Sequence, residues 1–128
     1  LPEFTALETV SIPLMMAGVS HGEYTKKAKE ILELVGLGHR LNHRPFELSG
    51  GEQQRVAIAR ALVHNPKIVF ADEPCANLDV GASTKIMQLF SKLNKELGQT
   101  IVLVTHEPDD EKYVDRVITL DDGLIKKQ

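Results

Sequence analysis

Ser49-Gly50-Gly51-Glu52 joins a hydroxyl, two residues without side chains and a carboxylate three positions after the serine. Ser-x-x-Glu has capping-box spacing, so a helix should begin here, its free N–H groups and positive dipole end facing outward. Two glycines at such a start let a phosphate approach the backbone, and the Ser49 hydroxyl adds a donor. The same four residues also make an ordinary cap on a buried helix.

A second group is Asp72-Glu73-Pro74, which closes the β-branched and aromatic run Ile68-Val69-Phe70-Ala71. That run suits a buried parallel strand, and ligands in α/β sheets lie beyond the C-terminal ends of such strands. One carboxylate there can hold Mg²⁺, directly or through water, while the other orients or deprotonates a water. The plainer alternative is a solvated turn. His106 follows the apolar run Ile101-Val102-Leu103-Val104-Thr105 and can reach the same edge, either to donate to a phosphate oxygen or in a structural role. Asn77-Leu78-Asp79 reads as a loop ending in an N-cap. The other histidines have no comparable placement. With Cys75 the only cysteine, no Cys/His metal site is expected.

The elements that must position these groups divide near Pro45. Before it the pattern is helical. Thr5/Glu8 and Ser20/Glu23 have capping-box spacing. One helix is predicted from about Thr5 to Met16, bent or interrupted at Pro13, and another from about Gly22 to Val35, stopping at Gly36. Ala28, Ile31, Leu32 and Val35 form its apolar stripe. Gly38 to Phe46 reads as irregular, with one short turn at most. Leu7, Leu14, Met15 and Met16 are candidates for an exposed apolar strip.

After Pro45, helix and strand alternate. The helix opened by Ser49 ends before Asn65-Pro66, and Val56, Ile58, Ala59, Ala61, Leu62 and Val63 make it apolar on most sides. Asp79 caps the next helix, with a stripe of Ile86, Leu89, Phe90, Leu93 and Leu97 and a stop at Gly98. A strand from Thr100 to Thr105, a short helix after Pro108, a strand at Arg116 to Leu120, a turn at Asp121-Asp122-Gly123 and a last short strand complete the pattern. This order implies a parallel sheet with right-handed crossovers.

Composition sets the outer bounds. A chain of 128 residues is about one domain, and 42% hydrophobic with 26% charged residues is ordinary for a folded one. A net charge of −3 gives no overall attraction to nucleic acid or to an anionic membrane surface. The longest nearly apolar run, Ile12 to Val19, is far too short to span a bilayer. Leu1-Pro2-Glu3-Phe4 has no positive n-region and so is not expected to be a secretory signal; the missing initial methionine is expected of a fragment or processed product.

Taken in order along the chain, these groups resemble ABC-type ATPases. Leu48-Ser49-Gly50-Gly51-Glu52-Gln53-Gln54-Arg55 resembles their signature motif, Asp72-Glu73 their Walker B aspartate and catalytic glutamate, Asn77-Leu78-Asp79 their D-loop and His106 their H-loop histidine. The segment 1–8 and His43-Arg44-Pro45 are most similar to the ATP-binding subunits of lipoprotein-releasing systems, with macrolide-exporter-type ATPases as near neighbours. The chain departs from the pattern in four places. No Gly-x-x-x-x-Gly-Lys-[Ser/Thr] Walker A loop occurs, the Q-loop glutamine would lie before Leu1, Cys75-Ala76 stand where Thr and Gly are usual, and Glu107 stands where Asp often follows the histidine.

The resemblance implies an α/β fold: a helical subdomain at 1–46, then, at 47–128, the signature helix and the C-terminal part of a P-loop NTPase-type parallel sheet with flanking helices. It implies an ATP-hydrolysing transporter subunit, for lipoprotein release or related export, that uses ATP and Mg²⁺. Such a subunit lies on the cytoplasmic face of the cell membrane as a peripheral protein. It pairs head to tail with a second copy and docks on transmembrane permease subunits. Ser49, Gly50, Gly51 and Glu52 would contact nucleotide held by the partner, Asp72 would hold Mg²⁺, Glu73 would polarise the attacking water and His106 would steady the γ-phosphate. Asp79 would link the two sites. Without a Walker A loop the sequence supplies half an ATP site and is expected to be inactive alone. Alternatives are a soluble ABC-type ATPase of DNA repair or translation, or a non-catalytic interaction module.

Overall fold

The computed structural model describes residues 2–128; Leu1, the first residue of the 1–8 resemblance, lies outside the described residues. Three helices form the first layer: α1 (Ala6–Met16), α2 (His21–Leu34) and, after a 3₁₀ turn at Pro45–Glu47, α3 (Gly50–Leu62). Strand β1 (Ile68–Asp72), helix α4 (Val80–Leu97) and strand β2 (Thr100–Val104) follow, then a 3₁₀ segment at Pro108–Tyr113 and a hairpin of β3 (Thr119–Asp121) and β4 (Leu124–Lys127).

Of the expected caps, those at Thr5, Ser49 and Asp79 form and that at Ser20 does not. Thr5 and Glu8 close a reciprocal box on α1, and Asp79 accepts the Ala82 N–H at the start of α4. Ser20 stands at the N-cap of α2, but its side chain makes no capping bond, so the Ser20/Glu23 box does not form. Pro13 does not interrupt α1, which runs on to Met16. The segment between α2 and α3 holds several turns rather than one. Gly98 ends α4 in the left-handed conformation that glycine adopts without strain (φ 68°).

Helices α1, α2 and α3 pack on one another, and α3 packs in turn on α4. Val10 and Leu14, Ala28 and Leu32, Val56, Ile58 and Ala59, and Ile86, Met87 and Phe90 fill one continuous core. Each large side chain removed from water there contributes about 1.5–3 kcal/mol. Two expectations fail at this level. Leu14 is in the core and Leu7 packs against it, so only Met15 and Met16 of the predicted strip are exposed. Leu97, at the end of the α4 stripe, is exposed where the helix runs past the core.

Strands β1 and β2 are parallel, with Ile68 opposite Thr100 and Asp72 opposite Val104. Their alternation sends Val69, Ala71, Ile101 and Leu103 toward the core. Ile68, Phe70, Val102 and Val104 lie on the other face, exposed, Phe70 at 76%. Strand β1 is therefore parallel but half-covered, not buried as its composition predicts. The hairpin β3–β4 is antiparallel and forms a separate small sheet, and β3 begins three residues later than expected.

Candidate active site at the strand ends and the start of α3

Parallel pairing carries the ends of β1 and β2 to one edge. Asp72 closes β1, and Glu73 follows with its N–H donating to the Val104 carbonyl (2.8 Å). That bond holds Glu73 at φ 47°, a left-handed conformation that costs a non-glycine residue roughly 1 kcal/mol. The turn is secured again where the Ala76 N–H donates to the Glu73 carbonyl (3.1 Å). Residue type gives no hint of this strain, which fixes where the Glu73 carboxylate begins.

His106 enters from the end of β2. Its Nδ1 lies 2.8 Å from Glu73 Oε1 and its Nε2 lies 3.3 Å from Glu107 Oε1. Carboxylates only accept, so Nδ1–H donates to Glu73, while Glu107 stands within ion-pair distance of the other ring nitrogen. The Glu73 hydrogen bond, then the charges of Glu73 and Glu107, raise the His106 pKa above its ordinary value. The ring is open to solvent, its side chain 77% exposed, so the effect is screened. Glu107, which stands where Asp often follows the histidine in the family pattern, is thus a second acidic neighbour of the ring.

The Ser49 segment forms the complete capping box. Glu52 N–H donates to Ser49 Oγ (3.1 Å) and Ser49 N–H donates to Glu52 Oε1 (3.0 Å). While its oxygen accepts from Glu52, the exposed Ser49 hydroxyl keeps its own proton free to donate outward. Glu52 faces inward: Oε2 accepts from Arg40 Nε at 3.2 Å, so both oxygens are engaged within the chain. The Ser49 backbone bond, followed by the Arg40 charge, holds the Glu52 carboxyl below the usual range.

The two glycines serve close packing. A Cβ on Gly51 would lie 3.1 Å from Ala82 Cβ, and one on Gly50 would lie 3.1 Å from Leu78 Cδ2. The start of α3 therefore rests directly against the Asn77-Leu78-Asp79 turn and the start of α4. Between them lies a cleft of about 370 Å³ lined by Ser49, Gly51, Arg55, Asn77, Asp79 and Lys85, among others. The Asp79 carboxylate at its rim caps α4 by accepting the Ala82 N–H at 2.7 Å.

These residues form two clusters on the chain: an acid–histidine pair at the strand ends, and a hydroxyl with a helix start beside the Asn77 turn. Among the described residues, no group of three or more His, Cys, Asp or Glu side chains is placed to hold a metal ion. Asp72 is a single hard-oxygen donor, which fits an ion such as Mg²⁺ that keeps most of its waters and takes phosphate oxygens from its substrate.

An α/β chain with a glycine-tight helix start, an acidic strand end and a histidine across from it is an ATP-binding cassette in outline. The family model for ABC transporters matches residues 1–76, and the chain belongs to that family. It is 52% identical over 128 residues to lipoprotein-releasing system ATP-binding protein LolD 2 of Caulobacter vibrioides, covering 100% of this chain and 56% of that protein. It is also 52% identical over 127 residues to LolD of Bacteroides thetaiotaomicron, covering 99% of this chain and 58% of the relative. In structure it matches the ATP-binding cassette MJ0796, a dimer in a post-hydrolysis state bound to ADP and Pi. The TM-score is 0.82 at 46% identity, over 99% of this chain and 56% of that one. The chain thus spans a little over half the length of the relatives it matches.

Proposed function

We propose that this chain supplies the signature, Walker B, D-loop and H-loop parts of the ATP-hydrolysing subunit of an ABC transporter, of the lipoprotein-releasing kind. The observation that carries the proposal is the contact of Glu73 with His106 at the ends of paired parallel strands, next to Asp72. General-base chemistry on water needs an oriented carboxylate, and the hydrogen bond from His106 orients this one. Asp72 would hold Mg²⁺ through its water shell, and the ion would supply charge neutralisation at the phosphates when bound.

His106 would release Glu73 or bridge it to the γ-phosphate as nucleotide arrives. Ser49, Gly50 and Gly51 would meet the γ-phosphate of a nucleotide carried by a second copy, with Glu52 supporting them from behind and Asp79 next to that interface. Residues 1–46 would form the helical subdomain that docks on the permease subunits, and 47–128 the signature helix and the later part of the catalytic core. Such a protein works on the cytoplasmic face of the membrane.

The test uses the full-length protein. Glu73→Gln should slow ATP hydrolysis by roughly 10²- to 10⁴-fold while ATP binding is retained. Turnover near wild type would remove Glu73 from the role of base.

A further inference from the structure

Arg40 lies in the connection between α2 and α3, away from the strand ends, yet it sits at the centre of a continuous set of bonds. The first two N–H groups of α1, at Ala6 and Leu7, donate to the carbonyls of His43 (2.9 Å) and Leu41 (3.0 Å). Those are helix-start donors that would otherwise go to water. The connection folds back on itself as His43 N–H donates to the Arg40 carbonyl (3.0 Å) and Arg40 N–H donates to that of the buried Leu37 (2.9 Å). The Arg40 guanidinium then divides its donors. Nη1 reaches His43 Nε2 (3.1 Å) and Nε reaches Glu52 Oε2 (3.2 Å). Glu52, by its other oxygen, holds the backbone of Ser49.

We propose that Arg40 is a positioning residue for Ser49: it fastens the α1 end of the helical layer to the first turn of α3 through Glu52. This rests on Ser49 meeting phosphate as set out above. The geometry explains why one arginine is used. Glu52 can serve Ser49 only in the rotamer that points Oε1 back at the N-cap, and a donor fixed on Oε2 from the opposite side selects that rotamer. A movement of α1, whose first turn is bonded to the same connection, is transmitted to Glu52 and from there to Ser49. Arg40 is 35% and Glu52 14% exposed, so the pair as a simple ion pair adds little to folding. Its effect lies in the fraction of molecules with Ser49 correctly presented, and that fraction divides directly into the apparent affinity for nucleotide.

The experiment uses the full-length protein and measures ATP-dependent dimerisation across ATP concentrations, steady-state hydrolysis and thermal melting. Arg40→Gln should raise the ATP concentration for half-maximal dimerisation roughly five- to tenfold, with turnover at saturating ATP within about twofold and melting unchanged. Arg40→Lys keeps a cation without the planar fork and should recover part of the loss. Glu52→Gln keeps the capping box but loses the charge; combined with Arg40→Gln it should add nothing beyond the larger single effect. An Arg40→Gln protein with wild-type ATP response, or additive effects of the two substitutions, would overturn the proposal. Should Arg40→Gln fail to fold, Arg40→Lys carries the test, and a wild-type response from it overturns the proposal equally. Ser49→Asp measured alongside separates the two levels. If it still dimerises with ATP, Ser49 itself does not meet phosphate and the Arg40 link falls with it. If it does not, and Arg40→Gln behaves as wild type, only the Arg40 link is wrong.

Discussion

Glu73 Oε1 and His106 Nδ1 meet at 2.8 Å although 33 residues separate them in the chain. The pairing of β1 with β2 makes this possible, because the register that puts Asp72 beside Val104 brings the two following loops side by side. The contact favours the protonated ring, and the sign of its pH dependence follows. A histidine whose pKa is raised on folding contributes its stabilisation in full below the ordinary value of about 6.5, and loses it as pH rises through the higher folded-state value. A proton NMR titration should therefore place His106 above ordinary imidazole. Glu73→Gln should move it back down, because it removes the hydrogen-bonding carboxylate and its charge. A His106 titration unchanged by that substitution would show that the pair is not formed in solution.

Gly51 is tested by packing rather than chemistry. Its missing Cβ would lie 3.1 Å from Ala82 Cβ, so Gly51→Ala requires α3 and α4 to give by a few tenths of an ångström where they meet. Overpacking of this kind costs about 1–3 kcal/mol. The melting temperature should fall, and Ala82→Gly in the same molecule should restore much of it by opening the space. Equal melting of the single variant and wild type would mean the two helices are not in contact at this point.

What the sequence made legible was mostly local. The Thr5, Ser49 and Asp79 caps depend on atoms three residues apart, and the α4 stripe through Leu93 depends only on helical period. Ser20 has the right spacing and still makes no capping bond, because spacing permits a bond without requiring it. The β-branched run at Ile68 announces a strand but not how many of its faces are covered. Leu14 has the apolar character of an exposed docking residue and of a core residue alike, and only the packing of α1 on its neighbours decides between them. Arg40 with Glu52 and Glu73 with His106 join parts of the chain that no periodicity connects. The family motifs point to Glu73 and His106 separately, but the bond between them comes from the fold.

Met15 and Met16 end α1 at 49% and 83% exposure, beside a core that has already taken Leu14. Flexible, polarisable side chains left in water on a helix end suit an adaptable apolar contact with a membrane partner. Replacing both with glutamine should change folding stability by no more than about 0.5 kcal/mol, since neither fills the core. If residues 1–46 dock on permease subunits as proposed, the double substitution in the full-length protein should abolish transport while basal ATP hydrolysis survives. Assembly and transport at wild-type levels would exclude these two residues from the docking surface.

Ser49 is the residue on which its segment's two roles diverge. As a cap it needs only an oxygen that accepts the Glu52 N–H, now supplied at 3.1 Å. Aspartate caps as well as serine, and its charge is favourable at the positive end of α3. Ser49→Asp should therefore leave thermal stability within about 1 kcal/mol of wild type. As a phosphate contact, Ser49 must offer its hydroxyl proton to a γ-phosphate oxygen. Aspartate has no proton to offer and brings a negative charge against another at close range, where little solvent screens them. In the full-length protein the variant should fold normally, yet fail to dimerise with ATP on a sizing column and fail to hydrolyse it. A folded Ser49→Asp protein that still dimerises with ATP would reduce Ser49 to a cap, and the start of α3 would then owe its two glycines to the packing against Leu78 and Ala82 alone.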